Sequence, residues 1–328
     1  LKDIYDQWKR DIFIEKLRIE TIVNNKENVS RTLAYQKYYT RNPEITWAYL
    51  ASMVSRNAGW NMGDLWSKPF RTILSKEKRH HIFTTYERAN WMIFSDAYPQ
   101  LLVYEWSKKI GKPLFNYLRE FHVSEWMIEQ WKDFWVNKNR KKLLYALIIN
   151  EQHLIQQPVI EALFFKKKVF QSLDYILQER LHFSVVLLPT KKGEIYGRSI
   201  KDFNNVNKRV ELGVHLAWIL LESPQKNDIY NFFCNVEFTG SRKDYQQWQT
   251  GSFYRTPRIL DNYPYIFHKD EKRKDWSKDK NYSPNKLLRK RWSPPRKFLL
   301  TEWYKKKQGQ IMLTATVVSL ANQKNLFK

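Results

Sequence analysis

Two apolar helical stretches in the first third of the chain are interrupted by residues that could do chemistry. In TRNPEITWAYLASMVSRNAGWNMGDL, Trp47, Leu50, Ala51 and Val54 fall at the i, i+3, i+4, i+7 spacing of one buried helix face. The run then passes into Arg56, Asn57, Asn61 and Asp64. In RHHIFTTYERANWMIFSD, Ile82, Phe83, Tyr86, Ile93, Phe94 and Ala97 trace a second stripe, with Asn90 on it and Glu87 beside it. An inward carboxylate between two helices could act as a general base, with arginine and asparagine orienting an anionic or amide-containing substrate. Glu87, Arg56, Asn57 and Asn90 are therefore the candidate catalytic set, with His81 and Arg88 nearby. The competing reading is a buried polar network that sets the register of two helices, because leaving such a group unpaired costs roughly 1–3 kcal/mol.

A second kind of chemistry sits near the other end. Residues 269–307 hold 15 Lys and Arg against five Asp and Glu, a net of +10, with Trp276, Tyr282, Trp292, Trp303 and Tyr304 interleaved. RKRWSPPRK is its densest piece, and Arg289, Lys290, Arg291, Trp292, Arg296 and Lys297 are the candidate nucleic-acid-binding residues. Cations neutralise backbone phosphates while rings stack on bases. A basic strap whose rings pack onto the body is the alternative, since Phe298, Leu299, Leu300 and Trp303 look built to dock.

Other chemistries find no support. The seven histidines form no metal motif: His80 and His81 are adjacent on a helix, and Glu151 and His153 are two apart, the wrong spacing for one face. There is no HExxH, GxSxG, Walker or GxGxxG sequence, so no metal and no cofactor is expected. TGSRKDYQQW reads as a helix start capped at Ser241, and less well as a phosphate cradle using Arg242 and Lys243. The single cysteine, Cys234, lies in NFFCNVEF and reads as a packed core thiol, which with the absence of any possible internal disulfide makes a reducing, cytoplasmic location the default.

The elements that must position these residues are mostly helical. Ile4, Trp8, Ile12, Ile19 and Ile22 suggest an N-terminal helix wrapping the body. Asn42, Pro43 and Glu44 resemble the capped start of the first central helix, and Gly59 reads as its end or a bend. SKPFRT reads as a linker to a second long helix over about 73–109, which Pro99 should kink or break. Further helical patterns follow over 113–180. The β signal is HFSVVLL at 182–188, with Ile195 to Arg198 as its hairpin partner. The expected fold is mainly α: a multi-helix body with a small β-hairpin near 182–198 and a basic C-terminal segment. Three parts are expected, at 1–180, 181–260 and 261–328, the second packed on the first.

At 328 residues with 57 Lys and Arg against 33 Asp and Glu, the formal charge is +24. Such a field favours an anionic partner: DNA or RNA first, then acidic lipid or a phosphorylated small molecule. No apolar run reaches the roughly 18 residues of a membrane span, and the start at Leu1 carries no signal-peptide pattern. The run TRNPEITWAYLASMVSRNAGWNMGDL together with HHIFTTYERANWMIFSDAYPQLL resembles the YppC-like family of Bacillus-type bacteria, a domain of unknown function. That resemblance covers most of the chain. It implies a bacterial, cytoplasmic setting and lends no catalytic residues. The oligomeric state is left open by the sequence.

Overall fold

Helices α2 (Asn28–Arg41) and α3 (Thr46–Asp64) form the hairpin about which the rest is arranged. Asn28 meets Ser55, Thr32 meets Ser52 and Ser55, and the ring of Tyr35 meets that of Trp47, so the two helices run antiparallel. The computed structural model describes residues 2–161, 185–200, 202–264, 266–268 and 272–326. Nearly every residue of α3 is buried, as expected for a helix packed on all sides.

Around this hairpin lie α1 (Lys2–Asn24), α4 (Lys68–Ile73) and the long α5 (Lys76–Ile110), then a 3-10 turn at Phe115–Phe121. Next come α6 (Glu125–Asn137) and α7 (Arg140–Leu154), each opened by a side-chain cap, Ser124 and Asn139. Strands β1 (Val185–Pro189) and β2 (Ile195–Ser199) pair antiparallel, Leu187 opposite Gly197. Helices α8 (Val206–Leu221), α9 (Lys226–Asn235) and the single turn α10 (Lys243–Gln246) follow. The late segment has little regular structure before α11 (Pro284–Arg289) and the terminal α12 (Thr301–Leu326). The fold is thus mainly α with one small hairpin. One hydrophobic cluster draws on residues from Ile14 to Tyr304 and includes members of all three expected parts.

Several local expectations change. Asn42 closes α2 and does not open α3; its side chain accepts from Lys108 at 2.9 Å. SKPFRT is not a linker, because its residues from Lys68 form α4, with Pro69 in the first turn where its missing N–H costs nothing. Helix α5 passes through Pro99 unbroken. On α1, Ile12, Ile19 and Ile22 are exposed, and Ile14, Leu17 and Thr21 face inward. Cys234 is exposed, since Ile229, Phe232 and Phe233 take the buried face of α9. Residues 162–180 of the helical pattern expected over 113–180, and residues 182–184 of the expected strand, lie outside the described residues.

Gly59 neither ends nor bends the helix by itself. A Cβ there would lie 2.3 Å from Asn28 Oδ1 and 2.5 Å from Phe238 Cζ, so its role is close packing within α3. Gly63 works the same way against backbone: a Cβ would meet Gly240 O at 2.4 Å, and neither chain can give way cheaply. Gly63→Ala is therefore expected to lower stability in urea unfolding by about 1–3 kcal/mol. Gly309→Ala, in α12 with open space around its Cβ, should raise stability by about 0.5–1 kcal/mol. Equal midpoints for the two variants would contradict this packing.

Candidate functional site

The four residues of the sequence-predicted cluster have different partners. Glu87 is buried and accepts hydrogen bonds from the Arg31 guanidinium, the Tyr263 hydroxyl and, at 3.1 Å, His268 Nε2. Arg31 also donates to Asn25 Oδ1 at 3.0 Å, and His268 stacks on Trp91 with centroids 4.7 Å apart. Burial would raise the Glu87 carboxyl, but the bonds from His268 and Arg31 outweigh it and hold the pKa below its ordinary value. Asn57 pairs with the backbone of β1: its amide donates to Leu187 O and accepts from Leu187 N, both at 2.7 Å. In effect the side chain acts as a third strand. Asn90 donates to Tyr86 O one turn back, at 2.7 Å.

Arg56 is a buried cation that makes no ion pair among the described residues. Its guanidinium donates to Val236 O at 3.0 Å, Phe233 O at 3.3 Å and Gln36 Oε1 at 3.0 Å, and lies against the rings of Phe232, Phe233 and Phe238. Burial pulls its pKa down to about 10. Among the described residues, no two of Glu87, Arg56, Asn57 and Asn90 hydrogen-bond each other.

Two more buried networks join distant segments. Arg242 pairs with Asp64 at 2.6 Å and donates to Asn61 Oδ1 at 2.9 Å and the Tyr245 hydroxyl at 2.6 Å. The guanidinium is thereby committed to the core, which removes it from the phosphate cradle considered for TGSRK; the N-cap position of α10 falls to Arg242 and not Ser241, whose Oγ accepts from the Lys243 amide at 3.2 Å. Burial lifts Asp64 to about 6 against the pull of Arg242. Asp96 accepts from Gln100 at 2.7 Å and Asn150 at 2.8 Å, with Arg273 at 3.7 Å. Glu151 lacks an ion-pair partner among the described residues: Trp47 and Gln152 donate to it at 3.2 and 3.0 Å, and burial pushes its pKa up to about 7. Its spacing from His153 speaks only to metal binding and gives no hint of this half-buried, desolvated carboxyl. No cluster of three or more His, Cys, Asp or Glu suited to a metal occurs among the described residues.

The basic tract lies on the surface. Arg289, Lys290, Arg291, Arg296 and Lys297 are exposed, and none forms an ion pair among the described residues, while Trp292 is half-buried with Lys290 Nζ 4.0 Å from its ring centroid. The tract is fastened at its end to the hairpin. Gly197 N donates to Phe298 O at 2.8 Å and Leu300 N to Ile195 O at 2.7 Å, adding a partial third strand beside β2. Arg198 donates to Lys297 O at 3.0 Å, and His215 Nε2 lies 3.2 Å from Ser293 O. Beside the tract, a groove of about 460 Å³ opens between α11 and the ends of α6 and α7, with Gln130, Lys141, Lys142, Tyr145 and Arg289 in its lining. A second groove, of about 420 Å³, lies between α2 and residues 234–239 and 258–261. Neither groove is lined by Glu87, Asn57 or Asn90.

Residues 23–305 match the family described as Protein of unknown function (DUF2515). The chain belongs to this family. A relative, "Uncharacterized protein YppC" of Bacillus subtilis (strain 168), is 42% identical over 299 residues, covering 91% of this chain and 92% of that protein. No solved structure matches. The family match takes in the three buried networks, the basic tract and the 460 Å³ groove, and stops short of most of α1 and of α12 beyond its first turns. Neither description assigns an activity, so a functional reading has to rest on the geometry.

Two outcomes follow from the buried charges. Glu87→Leu leaves Arg31 buried beside no carboxylate and is expected to cost about 3–5 kcal/mol in urea unfolding. Adding Arg31→Met should recover much of that loss, and a double variant as unstable as the summed singles would show the pair to be uncoupled. For Glu151, the folded-state pKa of about 7 lies above its ordinary value of 4.5. Between these values the folded chain keeps a proton that the unfolded chain has released, so stability falls as pH rises through that window. Glu151→Gln should therefore exceed the wild type at about pH 8 by on the order of 1 kcal/mol and match it near pH 4. Parallel stability–pH curves for the two proteins would contradict the assignment.

Proposed function

We propose that this protein binds a polyanion, with nucleic acid the favoured class, through the face formed by residues 289–297 and the groove beside them. The observation that carries this reading is the set of five exposed cations, Arg289, Lys290, Arg291, Arg296 and Lys297, with no ion pair among the described residues. Elsewhere on the surface some cations do have a carboxylate: Lys192 pairs with Asp228, Arg119 with Glu125 and Arg41 with Glu105. Five such cations within nine residues, in a protein of net charge +24, present a local positive field to solution. Released counterions then drive phosphate binding.

An enzyme centred on Glu87 has less support. General base chemistry needs a carboxylate within reach of substrate, and this one already accepts from three side chains. A membrane surface has the same demand for positive charge, and vesicle flotation separates it from nucleic acid.

Fluorescence anisotropy with labelled DNA and RNA, titrated against salt, tests the reading. The wild type should bind with a steep negative dependence of log K on log salt. Replacing the five cations by Glu should weaken binding at least about tenfold and flatten that slope by roughly 0.7–0.9 for each phosphate no longer neutralised. Absence of binding at low salt, or an unchanged slope in the variant, defeats it. Flotation with anionic vesicles in place of nucleic-acid binding would transfer the tract to a lipid partner.

A further inference from the structure

We infer that the groove between α7 and α11 seats one unstacked nucleotide, so that the nucleic acid bound is single-stranded; this rests on the polyanion reading above. The groove holds about 460 Å³, within the roughly 300–1,000 Å³ of small-molecule sites and of a size for one nucleotide. A duplex is read by an element that projects into its groove. Here the cations flank a recess.

The lining then supplies each part of a nucleotide with a partner. Arg289 stands at the groove as the phosphate contact and makes no ion pair among the described residues, while Lys141 and Lys142 line it with their charges already paired to Glu222 and Asp133. Tyr145 contributes a half-buried ring, the surface on which a base stacks, with Lys141 Nζ 5.9 Å from its centroid. Gln130 contributes an acceptor. Its amide oxygen is shielded from solvent and takes no hydrogen bond among the described residues, while its nitrogen donates weakly to Trp126 O at 3.4 Å. A buried acceptor with no donor is costly, and a turn of the Gln130 amide toward the groove would offer it to an exocyclic amine of a base. Asn139 and Asn285 use their amide oxygens internally, on the Lys142 amide and the Trp126 indole, which leaves their NH2 groups as donors to the ligand. Tyr145, Gln130 and the two asparagines are polar or aromatic groups that a surface for bare charge attraction does not need.

The test is anisotropy of the full chain with a labelled mixed-sequence single strand, the matching duplex, and heparin as a sequence-free polyanion. The single strand should bind at least about tenfold tighter than the duplex. Tyr145→Ala should lose roughly tenfold for the single strand and nothing for heparin, and Tyr145→Phe, which keeps the ring, should retain wild-type affinity. Gln130→Met keeps the size and removes the acceptor, and should weaken single-strand binding severalfold; it also serves if Tyr145→Ala fails to fold by thermal melting. Duplex bound as tightly as single strand overturns the inference and leaves the polyanion reading standing. So does unchanged single-strand affinity in both Tyr145→Ala and Gln130→Met. Failure to bind any of the three at low salt overturns both.

Discussion

The buried pairing of Arg31 with Glu87 sets the terms for the rest of the structure. A guanidinium and a carboxylate removed from water are tolerated only when both are surrounded by further hydrogen bonds. Here those bonds come from far along the chain: Tyr263 and His268 reach Glu87 from a segment with little regular secondary structure. The dependence runs both ways. The helices α2 and α5 need the late segment to complete their buried charges, and the late segment, short of backbone ladders of its own, needs the helices to hold it. Arg242 repeats the arrangement by joining Asp64 at the end of α3 to Tyr245, which in turn donates to Tyr304 on α12 at 3.1 Å. Arg273 repeats it again, donating to Ser95 on α5 and to Phe121 O while it approaches Asp96.

The same demand accounts for the abundance of tryptophan. An indole buries a large apolar area and carries one N–H that needs an acceptor. For five of the tryptophans the acceptors are side-chain carboxylates and amides: Trp60 donates to Asp244, Trp131 to Gln100, Trp47 to Glu151, Trp276 to Asn150 and, at the surface, Trp126 to Asn285. Each pair satisfies two polar groups while filling core volume. With 14 Trp, the polar interior and the aromatic content have one cause.

How much of this was legible in the sequence follows from the range of each interaction. The stripe Trp47, Leu50, Ala51 and Val54 and the hairpin near 182–198 depend on neighbours within a few residues, and local pattern is enough to find them. Where a local signal has two readings, the tertiary partner chooses. Gly59 carries the mark of a helix end, and Asn28 and Phe238 make it a point of close approach inside a continuous helix. Asn42 carries the mark of a helix start, and the chain uses it to close the helix before. The polar residues on α3 and α5 announce a need for partners. The identity of those partners is hidden, because Asn57 bonds Leu187, 130 positions on, and Glu87 bonds Tyr263, 176 positions on. Spacing along one helix carries no trace of such pairings. Exposure of Cys234 is legible in principle: it lies off the Ile229, Phe232, Phe233 face once α9 is taken as a helix.

The distribution of charge separates two tasks. Buried arginines are consumed by structure, Arg31 and Arg242 against carboxylates, and Arg56 and Arg209 largely against carbonyl oxygens. The five tract cations are treated differently: their side chains stay in water while their backbone is fixed by pairing at Phe298 and Leu300 and by the burial of Pro295. A charged segment held in this way has already lost much of its backbone freedom during folding. On the proposed reading, an anionic partner would meet a surface whose charges are set at defined positions, and its binding would be opposed mainly by the ordering of a few long side chains. A free basic tail of the same composition would have to order its backbone as well. The fold thus turns a run of lysine and arginine from a composition effect into a shaped surface, and the buried networks of Glu87, Asp64 and Asp96 are what hold the segments around that surface in place.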